Sequence, residues 1–569
     1  MHRHFLAALC LGIAFAALPS FNPHPVLAQT LPMTGTDIPS LHAADSILTN
    51  FMTTYGVPGG VFAVVQNGRL VFIRGYGYAD KDTGELAQPD SLFRLASLSK
   101  SLTAAAILKL VEQGQLSLSQ PAFGLLNYPA PTYAGAAVDP RLNSVTVRQL
   151  LNHTGGWDRN AAINPDGYYG FDPTVNWTVR AAADMGVPAP ADPTTMVRWM
   201  MGKPLQFDPG TQYQYSNFGY TVLGRIIEKL TGTNYDAFVK SLLAQAGVRR
   251  MRLAGSREVE RAPAEVKYYD YPGASLVTSI FPQDTGPVPL PYDFSYSTMD
   301  SHGGWSASAL DLLRFITAVD GRSTPPDILS LTSISNMIAR PSPPWGPTQE
   351  PYYGMGWMVR NTPDNWWHTG ALPGTGTEMV RAGNGFTWVA LFNFRAYQND
   401  NAFFNDMDAL GWNILNAVSQ WPTNDFFDAT LSYDAWRARR FTSAELNDPA
   451  ISGDSADPDG DGLPNLVEYA LGLAPKSPDA GHGFSSSVQL VNGQPYLTLT
   501  FQRLLLAHEV AYSVEVTDDL VHWRQTAQPV GNPSLTPEGY LRATFRDEAA
   551  LGTATGSHFL RLRISRLPQ

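Results

Sequence analysis

Residues 93–118 read F-R-L-A-S-L-S-K-S-L-T-A-A-A-I-L-K-L-V-E-Q-G-Q-L-S-L. Leu98, Leu102, Ala105, Ala106, Leu110 and Val111 recur at helical spacing and Gly114 follows as a stop, so an amphipathic helix is predicted to begin at Ser97. That puts a hydroxyl at the positive end of a helix. One turn on, Lys100 returns to the same face, within reach of Ser97 and able to take its proton. Taken alone, S-x-x-K is equally the signature of a serine cap followed by a solvated lysine. The uncharged, alanine-rich run 102–108 argues against the solvated reading, and a desolvated lysine gives up its proton more readily.

Working outward, Ala44, Ile47, Leu48, Phe51 and Met52 predict a helix ended by Gly56 and Pro58. The runs 61–65 and 69–74 flank Asn67-Gly68, the signal of a tight hairpin. Helix, hairpin and the Ser97 helix together imply a layered α+β domain. From 120 to 210 the chain is rich in loops, with short helical pieces such as 194–201, and reads as a mainly helical lobe over one side of a cleft. Within it, V-R-Q-L-L-N-H-T-G-G (147–156) carries His153, read as a hydrogen-bonded structural histidine in the turn after a short helix.

Two further stretches carry chemistry. Tyr215-Ser216-Asn217 precede a helix whose stripe is Val222, Leu223, Ile226, Ile227 and Leu230, so a phenol sits on a loop held by a rigid element; Tyr213 and Tyr220 are weaker rivals. W-W-H-T-G-A-L-P-G-T-G-T-E-M-V-R (366–381) reads as a strand reaching an open cleft, with Gly370 allowing close approach of another backbone or a ligand. Strands at 378–381 and 387–394 and a helix at 407–418 complete that domain.

S-L-S-K, Y-S-N and H-T-G in this order, with N-H-T-G-G (152–156) and G-G-W-S-A-S-A-L-D-L-L-R-F (303–315), resemble the serine hydrolases of the beta-lactamase and penicillin-binding-protein superfamily. The closest branch is that of class C beta-lactamases, D,D-peptidases and related esterases, and the likeness covers about 38–421. The resemblance implies an antiparallel sheet flanked by helices, a helical lobe, and an active site between them. It also implies roles: Ser97 as acylated nucleophile, Lys100 as base or proton relay, Tyr215 as proton shuttle. Asn217 would position Lys100 and the substrate, His368, Thr369 and Gly370 would line the far wall, and the N–H groups of Ser97 and Ala371 would form the oxyanion hole. His368 stands where class C beta-lactamases carry lysine; a mostly neutral histidine weakens a beta-lactamase assignment. The expected function is therefore hydrolysis of small-molecule esters or peptide-like amides, cell-wall peptides among them. The alternatives are a beta-lactamase, or an inactive protein that binds cell wall or another surface. No cofactor is expected for catalysis.

The chain's 569 residues imply more than one domain, and its formal net charge of −11, with no basic run, argues against a nucleic-acid partner. An apolar run at 5–18 followed by Val26-Leu27-Ala28 reads as a signal peptide over 1–28, too short for an integral membrane anchor, so the protein is expected to be secreted, periplasmic or extracellular. Cys10, the only cysteine, lies in that leader, which leaves no thiol or disulfide chemistry for the mature chain. The predicted hydrolase domain spans 36–425, a linker 426–480, and an accessory β-sandwich 481–569, the last from alternating runs at 496–501, 512–516, 540–545 and 559–564. In the linker, A-D-P-D-G-D-G-L-P-N-L-V-E matches a twelve-position calcium loop. Asp457, Asp459 and Asp461 fall at one, three and five, Gly462 at six, Leu463 at seven, Asn465 at nine and Glu468 at twelve. A structural Ca2+ stiffening the joint is the expectation there.

Overall fold

The computed structural model describes residues 31–35, 37–159, 172–423, 425–427, 433–478, 483–504, 509–531, 533–536, 540–552 and 557–567. The leader expected at 1–28, with Cys10, lies outside the described residues, as does 160–171 of the covering loops. No helix among the described residues is long and apolar enough to cross a membrane.

An antiparallel sheet forms the centre. Its strands run, edge to edge, Met33–Gly35, Arg69–Asp80, Gly59–Gln66, Phe386–Phe392, Thr375–Arg381, Asp364–Leu372, Met358–Asn361 and Tyr352–Tyr353, with Glu85–Leu86 beside Arg69–Asp80. The hairpin signal holds: Asn67 and Gly68 take φ of 50° and 78°, the left-handed pair that a two-residue turn between twisted strands requires. The central strands are buried along almost their whole length because helices cover both faces. His42–Tyr55 and Asp400–Ala417 cover one face, over Phe62, Val64, Trp388, Ala390 and Phe392. Ser99–Glu112 and Ala309–Thr317 cover the other, over Val61, Ala63, Met379 and Val389.

The helix Ser99–Glu112 departs from its expected amphipathic form, since every residue from Ser99 to Leu108 is buried. The sheet closes one side of it and the lobe helices Asn217–Thr231 and Tyr235–Ala244 close another, which explains why the polar positions of its buried part, 99–108, are serine, threonine and one lysine rather than a charged stripe. The lobe itself is helical as expected, with pieces at Ala122–Leu126, Val147–Leu151, Pro173–Asn176, Thr178–Met185 and Pro193–Met201 gathered around Asn217–Thr231.

After the sheet domain the chain stays in contact with it. Leu70 N donates to Asp425 Oδ1 at 3.0 Å, and Phe426 N donates to Leu70 O at 2.9 Å. Two small sheets follow. Phe484–Val491, Gln494–Arg503, Leu541–Arg546 and Gln528–Pro529 form one, with Ser534–Leu535 also on Leu541–Arg546; Val510–Thr517 and Phe559–Arg566 form the other. They face each other across Leu499, Phe501, Val514 and Ala543, with Leu471 of the helix Asn465–Leu471 in the same cluster.

Candidate active site

The chain reaches Ser97 through a strained turn. Ala96 has φ of 49°, in the left-handed region that a residue with a Cβ rarely occupies, and Ser97 follows in a short 3-10 turn that leads directly into the helix Ser99–Glu112. The turn is fixed from both sides: Leu95 N donates to Trp305 O at 2.8 Å, and Leu95 O accepts from Thr377 Oγ1 at 2.9 Å. Gly370 makes this possible. A Cβ there would lie 2.2 Å from both Leu95 O and Thr377 Oγ1, so the His368 strand can press against the Ser97 turn only if this position is glycine. Gly370→Ala is therefore expected to lose about 1–3 kcal/mol of stability and to lower kcat more than it changes KM, because the displaced group is the Ser97 turn; thermal unfolding and steady-state kinetics check this.

Ser97 is half-buried, while Lys100 is buried completely. Lys100 Nζ donates to Ser97 Oγ at 3.1 Å and to His302 O at 2.7 Å, both uncharged acceptors. Burial drives its pKa well below the ordinary lysine value; Asp172 opposes that shift and Arg159 adds to it. Lys100 Nζ also lies 4.8 Å from the centre of the Tyr215 ring. The Tyr215 hydroxyl is buried and has no partner with full hydrogen-bond geometry. Burial raises its pKa, with the neighbouring Ser97 side chain the largest opposing influence. Of the rival tyrosines, Tyr220 donates to Leu151 O at 2.9 Å and Tyr213 packs on Trp345 at 5.0 Å.

His153 holds Tyr215 in place. Its Nδ1 accepts from Ser216 N at 3.1 Å, and its ring lies 4.3 Å from the Tyr215 ring and 4.4 Å from that of Tyr353. It is the hydrogen-bonded histidine of a turn, as expected, and burial keeps it neutral by pushing its pKa down.

His368 is also buried, with both ring nitrogens engaged. Nδ1 lies 2.7 Å from Thr369 O, which can only accept, so the proton is on Nδ1; Nε2 must then accept from the Tyr353 hydroxyl at 3.0 Å. Burial, with Lys100 second, pushes its pKa down to about 3. The ring is thus neutral and turned to Tyr353, whereas Thr369 and Ala371, the alternate residues, are half-buried. The second acceptor of Lys100 is the His302 carbonyl rather than Asn217; Asn217 N donates to Asp172 Oδ2 at 3.2 Å, and among the described residues Asn217 Oδ1 has no partner.

Four participants escaped the sequence reading: the His302 carbonyl, Tyr353, Asp172 and Arg159. Asp172-Pro173 carried a helix-start signal, and Asp172 does cap Pro173–Asn176 through Thr174 N, but nothing local told that its other oxygen reaches Asn217.

In the linker, the carboxylates of Asp457, Asp459 and Asp461 lie within 4.8 Å of one another. Backbone amides curl the loop around them: Gly460 N and Gly462 N donate to Asp457, Asp461 N to Asp459 and Leu463 N to Asp461. Asn465 and Glu468 are fully buried on the helix that follows, and Asn465 Oδ1 is left without a partner. The three clustered carboxylates, all oxygen donors, fit a hard cation such as Ca2+.

Taken together, the sheet, the helical lobe and a buried lysine on a serine at a helix start define a serine hydrolase that forms its site between two subdomains. The chain belongs to the beta-lactamase family, whose model matches residues 44–406. It is similar to penicillin-binding protein 4* of Bacillus subtilis, 29% identical over 57% of this chain and 65% of that protein. It is also similar to the esterase EstB of Burkholderia gladioli, 30% identical over 40% of this chain and 54% of that protein. A D-amino acid amidase from Ochrobactrum anthropi shares the fold, with a TM-score of 0.50 and 22% identity over 67% of this chain and 99% of the amidase.

Proposed function

We propose that the protein is a secreted hydrolase that cleaves esters or peptide-like amides through an acyl-enzyme on Ser97. The observation that carries this reading is the 3.1 Å hydrogen bond from a fully buried Lys100 to Ser97, with no carboxylate among the described residues at ion-pair distance from the amine. Lys100, neutral, takes the Ser97 proton as Oγ attacks the substrate carbonyl. The backbone N–H groups of Ser97 and Ala371 donate to the oxyanion, Tyr215 passes the proton to the leaving group, and water then releases the acyl group by the same route in reverse. Asn217 and Thr369 receive the substrate's polar groups. His368 acts through Tyr353 and adds no fixed cation at the far wall, which favours esters and peptide-like amides over beta-lactams. Export is supported by the apolar leader at 5–18.

A fluorophosphonate probe tests the reading. In folded protein at neutral pH, mass spectrometry is expected to find one adduct, on Ser97. No adduct would favour the non-catalytic alternative, a protein that binds cell wall or another surface and has kept the fold.

For the linker loop the reading is a structural Ca2+ held by Asp457, Asp459 and Asp461, the Leu463 carbonyl, and Asn465 and Glu468 from the following helix. Adding calcium to chelator-treated protein is expected to raise an unfolding transition by about 2 °C or more, and Asp459→Asn to abolish the rise. A transition that ignores calcium, measured by scanning calorimetry, would remove the ion from the reading.

A further inference from the structure

Arg159 stands at the centre just described without a task in it. Its guanidinium carbon lies 4.9 Å from the centre of the Tyr215 ring, and the residue is exposed. Among the described residues it makes no hydrogen bond or ion pair. The chain leading into it is nevertheless well held. Trp157, two residues earlier, is buried against Phe123 and against Phe218, at 6.0 and 4.8 Å, and Phe218 directly follows Asn217. Asp158 N donates to Gln206 Oε1 at 3.1 Å. An arginine that directly follows this held segment, beside a reacting centre, open to solvent and unpaired among the described residues, is placed to meet an anion that arrives with the substrate.

The other cations at this centre are unsuited to that. Lys100 is buried and discharged by its surroundings, and His368 is neutral with both nitrogens engaged. We infer that Arg159 is the specificity-determining residue for a carboxylate carried on the leaving-group fragment of the substrate. This rests on the proposed hydrolase reading, in which Tyr215 passes its proton to the leaving group: a cation over the Tyr215 ring then lies on the leaving-group side of Ser97. A guanidinium suits the role because it matches a carboxylate with two parallel N–H donors and keeps its charge throughout the neutral range.

The test separates binding from chemistry. In the Ser97→Ala protein, calorimetry compares two aryl esters of N-acylglycine that differ only in whether the leaving phenol bears a 3-carboxylate or its methyl ester. The expected result is a preference of about tenfold or more for the carboxylate, weakened by salt, lost in Ser97→Ala/Arg159→Gln and partly kept in Ser97→Ala/Arg159→Lys. In the enzyme with Ser97 intact, Arg159→Gln is expected to shrink the ratio of kcat/KM for the two esters by the same factor, through KM. The absence of any preference, or a preference that survives Arg159→Gln, would overturn the assignment. A failure of the hydrolase reading shows elsewhere, as a missing fluorophosphonate adduct on Ser97, and leaves the calorimetric comparison intact.

Discussion

Ser97→Ala is expected to lower kcat by about 10⁴-fold or more on any ester the protein turns over, and to remove the fluorophosphonate adduct, while the unfolding temperature stays close to that of the parent. The side chain is half-buried and its loss opens little space, so stability has no reason to fall. Binding is expected to persist, because no other change is made to the cleft. A variant that keeps more than about a hundredth of the parent rate, measured with p-nitrophenyl butyrate on protein freed of contaminating esterases, would place the nucleophile elsewhere.

Lys100→Met is expected to be nearly as damaging to turnover, by about 10³-fold or more, yet to raise the unfolding temperature. The sign follows from proton linkage. Burial holds the folded-state pKa of Lys100 well below the ordinary 10.5, so in the interval between those two values the unfolded chain binds a proton that the folded chain does not. Stability therefore rises with pH across that interval, and at neutral pH the buried amine is a net cost. Methionine has a similar length and no charge to desolvate, so it removes the cost. The same depressed value sets the acid limb of the rate profile: the neutral amine needed to deprotonate Ser97 is present above the folded pKa and is lost as pH falls through it. Unfolding scans at pH 7 and pH 10 check the first part, since the gain from methionine should shrink toward the higher pH. A Lys100→Met protein that loses stability would mean that the hydrogen bonds to Ser97 and His302 outweigh the burial of the amine.

These two expectations depend on features of different visibility. The helix after Ser97, the hairpin at Asn67-Gly68 and the strand through His368-Thr369-Gly370 are local patterns, and each formed where its periodicity and turn residues placed it. The helix Ser99–Glu112 shows where local pattern stops. Its apolar stripe announced one buried face, but the whole first ten residues are buried, because a sheet and two lobe helices distant in sequence enclose it. The lowered pKa of Lys100 follows from that enclosure, a tertiary effect at which only the alanine-rich run of the sequence hinted.

The site divides along the same line. The nearness of Ser97 and Lys100 was legible as helical spacing, and Tyr215 stood out by its place on a loop before a helix and by the family likeness of its motif. His368 was legible as a strand residue reaching the cleft, yet the direction its ring nitrogens face was not, because that depends on Tyr353 from another strand and on the carbonyl of its own neighbour. Asp172 showed only as a helix start, with nothing to tie it to Asn217, and Arg159 carried no pattern at all.

By itself, then, the sequence determined the layered α+β class, the three stretches that carry reacting groups, the oxygen-rich loop at 457–468 and the alternating strands that end the chain. These follow from short-range periodicity and turn chemistry, which are complete within a dozen residues. Only the tertiary structure decided which oxygen holds Lys100, which histidine nitrogen bears the proton, and which arginine stands over the Tyr215 ring. Those outcomes depend on burial and on hydrogen-bond partners drawn from across the chain, and a local pattern holds no information about either.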